Sequence, residues 1–337
     1  MLVGAGERAR STLIPAIHAS AQTVELVAVC TRSERPVELL GGRFRTTTRL
    51  LPDVDLDGID AAIVSVGTRS VPSVLDELAG RGEPRITALV DTPVLDPSDL
   101  AAARGFGRFG SVLASEDNYT LPFYVQARRL LDEGTLGRLR KAYLFHSGYR
   151  HHALAALKRL SGARARRVSI DRSTPWSAEV HVTFPGGLRA LIVEPRRYEI
   201  GRTLVVGDAA FVADYPIDHP KAIRIGYRTV GDRFRGLTVD GEAVENDRDE
   251  AFAAALEGAP LEDPSLMNQM KIRGFMDLLA ALGDPTSPDR YPAVDAIDDN
   301  LTMHVAERLH VSPARGPVLR SAARLAASFA RSAGERP

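Results

Sequence analysis

The stretch Gly4-Ala5-Gly6-Glu7-Arg8-Ala9 constrains this chain more than any other. It has the form G-x-G-x-x-A, follows the apolar stub at residues 1–3 and opens a run, 11–19, with helical spacing of apolar residues. A strand, a glycine turn and a helix in that order begin a βαβ unit. The first glycine permits the tight turn. The second lets backbone approach a pyrophosphate at the helix amino terminus. Only three residues precede Gly4, whereas a strand ordinarily has about five or six. Either the reading frame opens upstream or the first strand is short.

The chain continues as alternating segments. Residues 24–30 (VELVAVC), 61–66 (AAIVSV), 86–90 and 111–114 read as strands, and 71–80 and 97–104 as helices. Such alternation predicts parallel pairing through right-handed crossovers. The character changes near Tyr119. A helix over 122–133 ends at Gly134 and Gly137, and strand-like segments follow at 140–146, 178–184, 188–194, 203–206 and 222–227. Turn signals lie between them, at Pro185-Gly186-Gly187 and Asp240-Gly241. Helical spacing returns at 250–256, 265–282 and 296–309. The expected fold class is α/β: an N-terminal Rossmann domain with a doubly wound parallel sheet over 1–118, then a C-terminal α+β domain with an open, mainly antiparallel sheet over 119–310. A basic, alanine-rich tail over 311–337 reads as a mobile end or a partner-contacting arm.

Composition narrows the function class. With 337 residues there is enough chain for two cores. Lys+Arg and Asp+Glu both number 43, so nothing in the whole-chain charge draws it to nucleic acid or membrane. No apolar run is long enough to span a bilayer, and the amino terminus does not read as a secretory signal. The expectation is a cytoplasmic protein with a small-molecule substrate. The single cysteine, Cys30, lies in an apolar strand and reads as a small core residue. No metal is expected, because His151 and His152 are adjacent and no acid or cysteine accompanies them at ligand spacing.

The second strand ends Cys30-Thr31-Arg32-Ser33, with no acid to receive a ribose 2′-hydroxyl. Two hydroxyls beside an arginine suit a 2′-phosphate, so NADP is favoured over NAD if a cofactor binds.

Several stretches, taken in order, resemble the Gfo/Idh/MocA family, named for glucose–fructose oxidoreductase and inositol dehydrogenase: GAGERA, AAIVSVGT, VDTP, EDNYTLPF and LLDEGTLGRLR. The resemblance covers the chain to about Leu309. It implies a nicotinamide-dependent oxidoreductase acting on a small polar alcohol, ketone or imine in a cleft between the two domains. It also implies a homodimer or homotetramer formed through the C-terminal sheet. The cofactor would be held by Gly4, Gly6, Glu7, Arg8, Thr31, Arg32, Ser33, Val66, Gly67, Thr68, Asp91 and Asn118.

The departures matter as much as the matches. The family commonly has Thr-Pro where this chain has Val66-Gly67. It commonly has Glu-Lys-Pro where this chain has Asp91-Thr92-Pro93, and that lysine moves the proton that accompanies hydride transfer. Threonine carries no charge and has a short reach. An aspartate four residues before a conserved-type histidine is replaced by Gly148, while His152 takes the place of the histidine. His152 is then the leading acid–base candidate, since imidazole titrates near neutrality. Tyr149 and Tyr119 would assist, Thr92 would orient substrate, and Arg150, His151 and Lys271 are further candidates. Two alternatives stand beside this reading. One is a redox-inactive relative catalysing acid–base chemistry such as elimination or cyclisation, with or without a dinucleotide. The other is a non-catalytic binding subunit.

Three more features carry plainer expectations. The arginine run at 159–167 (RLSGARARR) reads as a solvated loop after a helix. Glu116 or Asp117 reads as solvated, with Asn118 and Tyr119 turned to the cleft. Trp176 reads as packing or interface.

Overall fold

The computed structural model describes residues 1–40, 42–81, 86–174, 177–197 and 200–309. The tail at 311–337 and Trp176 lie outside the described residues. Two compact units emerge. One comprises Met1–Glu116 and Ala251–Asp298; the other comprises Asp117–Glu250 and continues from Asp299.

The first unit carries strands β1 (Leu2–Val3), β2 (Val29–Cys30), β5 (Ala61–Val64), β6 (Thr87–Asp91) and β7 (Ser111–Ser115), with a short hairpin, β3 (Pro36–Leu39) and β4 (Phe44–Thr47), after β2. The five pair in the order β2-β1-β5-β6-β7, all parallel. Ile63, Val64, Leu89, Val90 and Ala114 are buried, as near-continuous apolar runs must be when both faces of a parallel sheet are covered. A π-helical stretch at Ala9–Leu13 runs into α1 (Ile14–Ala19), and α2 (Val71–Arg81) follows β5. The doubly wound parallel sheet expected from the alternation is present.

Its details differ from the sequence reading in three places. Residues 24–28 form no strand, because β1 offers only Leu2 and Val3 as ladder partners. Val27 is left 54% exposed, and a cavity of about 590 Å³ lies beside it, lined by Met1, Ile17, Val24 and Leu279 among others. The crossover after β2 runs through the β3–β4 hairpin, a stretch to which the apolar spacing assigns no element. The segment expected as a helix at 97–104 is a 3₁₀ run, Pro97–Arg108, capped by the Asp96 side chain.

The second unit carries α3 (Asp117–Thr120), α4 (Pro122–Asp132), β8 (Leu139–Phe145), α5 (Arg150–Ser161), β9 (Arg167–Thr174), β10 (Ser177–Thr183), β11 (Arg189–Glu194), β12 (Arg202–Gly207), β13 (Phe211–Ala213), β14 (Ala222–Val230), β15 (Arg233–Val239) and β16 (Glu242–Ala243). These strands form one mixed, mainly antiparallel sheet in the order β16-β15-β14-β13-β12-β8-β11-β10-β9. The β8–β11 and β13–β14 pairs are parallel. Alternate residues, such as Val180 and Val182 on β10 or Ala142 and Leu144 on β8, are buried on one face, where α4 and α5 pack. The Asp240-Gly241 turn closes the β15–β16 hairpin with positive φ at both residues.

The last helices are α6 (Asp247–Ala255), α7 (Leu266–Ala281) and α8 (Ala293–Leu309). A single C-terminal block over 119–310 was the expectation, yet 251–298 clusters with the first unit. Contacts between segments remote in sequence hold it there. α7 buries Ile272, Phe275, Met276 and Leu279, Thr12 donates to Asn268 Oδ1 at 2.8 Å, and Asn268 donates to the Ser11 carbonyl at 2.9 Å, tying α7 to the π-helical stretch that leads into α1. Lys271 therefore lies on a helix of the first unit, not the second.

Candidate functional site

The sheet order reverses between β1 and β5, so the carboxyl ends of those strands form the crevice where open α/β sheets take ligands. Gly4 follows β1 with φ +103°, and its N–H donates to the Cys30 carbonyl at 2.8 Å. A Cβ at Gly4 would stand 1.9 Å from the Ser65 carbonyl oxygen, so only glycine fits. Gly6 is the opposite case: a Cβ there meets nothing within 4 Å. The first helical turn begins beyond it, with Arg10 N–H bonded to the Gly6 carbonyl at 3.0 Å. Arg10 also braces the loop from its side chain, donating to the Ala5 carbonyl at 3.1 Å and to Glu262 Oε1 at 2.8 Å. Sequence reasoning passed over that brace, because its two ends are far apart in the chain.

Beyond β2, Thr31 Oγ1 lies 2.6 Å from the Ser33 carbonyl and 2.8 Å from Thr48 Oγ1. Arg32 donates to Ser70 Oγ at 3.2 Å. Thr48 and Ser70 thus join the Thr31–Ser33 turn through side-chain hydrogen bonds. Val66, Gly67 and Thr68 lead from β5 into α2 through one turn, Thr68–Ser70, and a Cβ at Gly67 meets nothing within 4 Å. At the end of β6, Asp91 accepts from Ser65 Oγ at 3.2 Å and lies 3.5 Å from Arg8 Nε. Thr92 Oγ1 donates to the Ser115 carbonyl at 3.4 Å. Glu7 stands exposed on the first turn of the helix.

In the second unit, Tyr149 precedes α5 and His151 and His152 open it. Their rings lie 4.0 Å apart, centre to centre. His151 is buried and His152 half-buried. The entry to the helix is conformationally constrained. His146 and Arg150 both have positive φ, and the Arg150 N–H donates to Glu194 Oε1 at 2.9 Å. Burial raises the pKa of Glu194, against the Arg150 hydrogen bond and charge that lower it. The Arg150 guanidinium covers the Tyr149 ring at 4.9 Å.

Gly148 is tightly enclosed. A Cβ there would lie 2.7 Å from Leu144 Cδ2 and 2.8 Å from Ala153 Cβ. The acid that the resemblance leads one to seek at this position is missing, and this backbone leaves it no space.

Two further expectations are corrected. Arg159 is buried on α5, with its guanidinium 5.2 Å from the centre of the Tyr119 ring, and Arg167 begins β9. The arginine run is therefore helix end, turn and strand rather than one solvated loop. Glu116 is 1% exposed and Asp117 half-buried, because β7 passes into α3 with almost no loop between them. Asn118 is buried beside them.

No family model and no curated protein matches this sequence. Solved structures do. An NAD binding oxidoreductase from Klebsiella pneumoniae superposes with a TM-score of 0.62 at 13% identity, over 91% of this chain and 94% of that one. A myo-inositol dehydrogenase from Corynebacterium glutamicum gives 0.60 at 13% identity, over 94% and 98%. An oxidoreductase from Agrobacterium radiobacter, in complex with NAD+, L-tartaric acid and magnesium, gives 0.59 at 13%, over 92% and 96%. The chain has the fold of these dehydrogenases.

Within that fold, the two glycines of the first loop stand in opposite surroundings. Gly4 is fixed against β5 by sterics. Gly6 faces open space at a helix amino end, where backbone N–H groups and the helix dipole favour an anion.

Proposed function

We propose that this protein is an NADP(H)-dependent oxidoreductase acting on a small polar molecule, a sugar-like alcohol or ketone, or an imine. The observation that carries the reading is the contrast between Gly4, which has no room for a Cβ, and Gly6, which has nothing before it. In this reading the loop Gly4–Arg8 holds the pyrophosphate and Thr31, Arg32 and Ser33 hold the 2′-phosphate. Val66, Gly67, Thr68, Asp91 and Asn118 line the remainder. The Agrobacterium protein's complex with NAD+ supports a nicotinamide dinucleotide in this fold.

A cofactor held by these residues would supply or accept a hydride. The chain's own residues provide the rest. His152 exchanges the proton, with Tyr149 or Tyr119 assisting, and Thr92 orients the substrate through its hydroxyl. Arg32 favours the phosphorylated cofactor by charge. Among the described residues no helix is long and apolar enough to cross a membrane, and the cytoplasm is the proposed compartment. A second copy of the chain is the proposed partner. The sheet of the second unit presents Tyr143, Phe145, Leu204, Val206, Phe211 and Ile217 around a shallow apolar depression, with the Tyr143 and Phe145 rings stacked at 5.7 Å.

Two observations favour a second reading, redox-neutral acid–base chemistry at His152. An uncharged Thr92 and a Gly148 that admits no side chain both weaken the proton relay of an ordinary dehydrogenase. Titration of the purified protein with NADPH and NADH, followed by cofactor fluorescence, tests the cofactor, and oxidation of NADPH by carbonyl or imine substrates, followed by absorbance, separates the two readings. Micromolar NADPH binding with much weaker NADH, and loss of that preference in Arg32→Ala, supports the redox reading. Binding of neither cofactor sinks it and turns the search to redox-neutral substrates.

A further inference from the structure

The helix that carries His151 and His152 starts from a backbone conformation that residues with a Cβ rarely adopt. Arg150, its first residue, has φ +46°, and His146, shortly before it, has φ +52°. Such conformations persist only where the surroundings over-determine them. The partners that do so come from neighbouring segments of the same unit. The His146 N–H donates to the Val193 carbonyl at 3.0 Å, and the His146 carbonyl accepts from the Arg197 N–H at 2.8 Å. Ser147 Oγ donates to the Arg202 carbonyl at 3.0 Å. The first bond within α5 runs from the Ala153 N–H to the Tyr149 carbonyl at 3.2 Å. The amides of residues 150–152 precede it and need partners from outside the helix. Tyr149, at the N-cap, caps none of them with its side chain. Glu194, at the end of β11, takes that part from 44 positions away: its Oε1 accepts from the Arg150 N–H at 2.9 Å. The Arg150 side chain is held separately, 3.1 Å from Glu307 on α8.

We propose that Glu194 is a positioning residue for His152, fixing the first turn of α5 so that the imidazole is held in one orientation for proton exchange. The inference rests on the role given to His152 above. A side chain in the first turn follows the helix start: when the backbone at Arg150 turns, His152 turns with it. Without an acceptor for the Arg150 amide, that residue loses a reason to stay at positive φ, and the chain relaxes toward the commoner negative region. The acceptor itself is well anchored. β11 pairs in register with β8, Val193 opposite Phe145, so Glu194 projects from the sheet edge beside the very turn it holds. The charged groups around its carboxyl are Arg150 on α5, Glu307 on α8 and Arg172 on β9. The hydrogen bond to a backbone amide requires an oxygen at that place and not a charge, so a neutral amide of the same length serves as well.

The test uses the full chain, labelled with nitrogen-15 at histidine, as the parent and as Glu194→Ala, Glu194→Asp and Glu194→Gln. Two-bond proton–nitrogen spectra at one pH report the tautomer and surroundings of each ring, with His152 assigned by the peaks lost in His152→Gln. The His152 peaks should move or split in Glu194→Ala and in Glu194→Asp, whose oxygen falls short of the amide. They should keep the parent pattern in Glu194→Gln. His18 and His219, on other elements, should stay in place in all four and so show that each protein is folded. Oxidation of NADPH with dihydroxyacetone as the probe ketone should show kcat about ten- to a hundredfold lower in the alanine and aspartate variants, with KM for the ketone little changed and most of the loss recovered in Glu194→Gln. Lower melting temperatures with parent-like His152 peaks would mark Glu194 as merely structural and overturn the inference. An unchanged kcat in Glu194→Ala, where the parent turns over, overturns it too. If the parent neither binds NADPH nor reduces the ketone, the redox reading loses its support, and the ring spectra alone decide whether Glu194 positions His152.

Discussion

Lys158 Nζ stands 2.9 Å from Asp299 Oδ1, and the two side chains are 8% and 4% exposed. The contact ties the last turn of α5, the helix that carries His151 and His152 near its start, to α8. A buried pair of this kind is costly to break from one side, because the remaining charge has lost its solvent and its partner. Lys158→Met should destabilise the protein by about 3–5 kcal/mol. The double variant Lys158→Met with Asp299→Leu should recover most of that loss. Urea unfolding of the single and double variants measures both. A single variant as stable as the parent would show that the pair contributes little.

The two glycines of the first loop should separate folding from binding. Gly4→Ala forces a Cβ to within 1.9 Å of the Ser65 carbonyl, at a residue with φ +103°. The backbone must shift, so a loss of several kcal/mol in stability is expected, about 2–4. Gly6→Ala meets nothing within 4 Å, so the melting temperature should change by no more than a few degrees while NADPH affinity falls at least tenfold. Parallel thermal melts and cofactor titrations decide it. Equal affinity in Gly6→Ala and the parent would mean that no ligand approaches that backbone.

The contrast also marks how far the sequence could be read. The order of apolar runs announced the parallel sheet, and G-x-G-x-x-A announced the turn after β1, because both are local patterns with local causes. What stayed hidden depends on partners remote in sequence. Residues 24–28 have the composition of a strand but lack a neighbour to pair with. Arg159 looks like part of a basic loop until the Tyr119 ring comes over it. The Asn268–Thr12 bonds that bring α7 to the first unit join residues more than 250 positions apart. Of the candidate site, the glycines and the Thr31–Ser33 turn were legible. Thr48, Ser70 and the Arg8–Asp91 contact were not, since nothing in their spacing marks them.

Gly148 gives a direct test of whether the missing acid can be restored. Its absent Cβ would lie 2.8 Å from Ala153 Cβ, which has no flexible end to move away. Gly148→Asp should therefore cost about 1–3 kcal/mol of stability through overpacking and should raise no dehydrogenase activity on simple polyols. The pair Gly148→Asp with Ala153→Gly removes the obstacle that cannot swing aside and should recover part of the stability. Circular dichroism melts and a cofactor-coupled polyol assay make the comparison. Activity gained by the single substitution would contradict the steric account.

Asp214 should make the second unit less stable as pH rises from about 4 to about 6. Burial pushes its carboxyl from an ordinary 3.8 up to about 6, even though the Thr203 N–H bond favours the charged form. That N–H donates to Oδ1 at 2.9 Å, and the Thr203 hydroxyl in turn lies 2.9 Å from Ser147 Oγ. A carboxyl whose folded pKa lies above its unfolded value holds its proton more tightly in the native state. Its contribution to stability is therefore complete below about pH 4 and is lost as the pH passes through about 6. Two pKa units correspond to on the order of 2–3 kcal/mol. Asp214→Asn keeps an acceptor for the Thr203 amide and cannot ionise. Its urea midpoint should lie above the parent's at pH 7.5, and that advantage should shrink steadily as the pH is lowered to 4.5. Burial of Glu194 acts in the same direction, so some pH dependence should remain in the variant. If the midpoints of parent and variant differ by the same amount at every pH, Asp214 is not titrating in this range, and its carboxylate is better solvated than its position behind Thr203 implies.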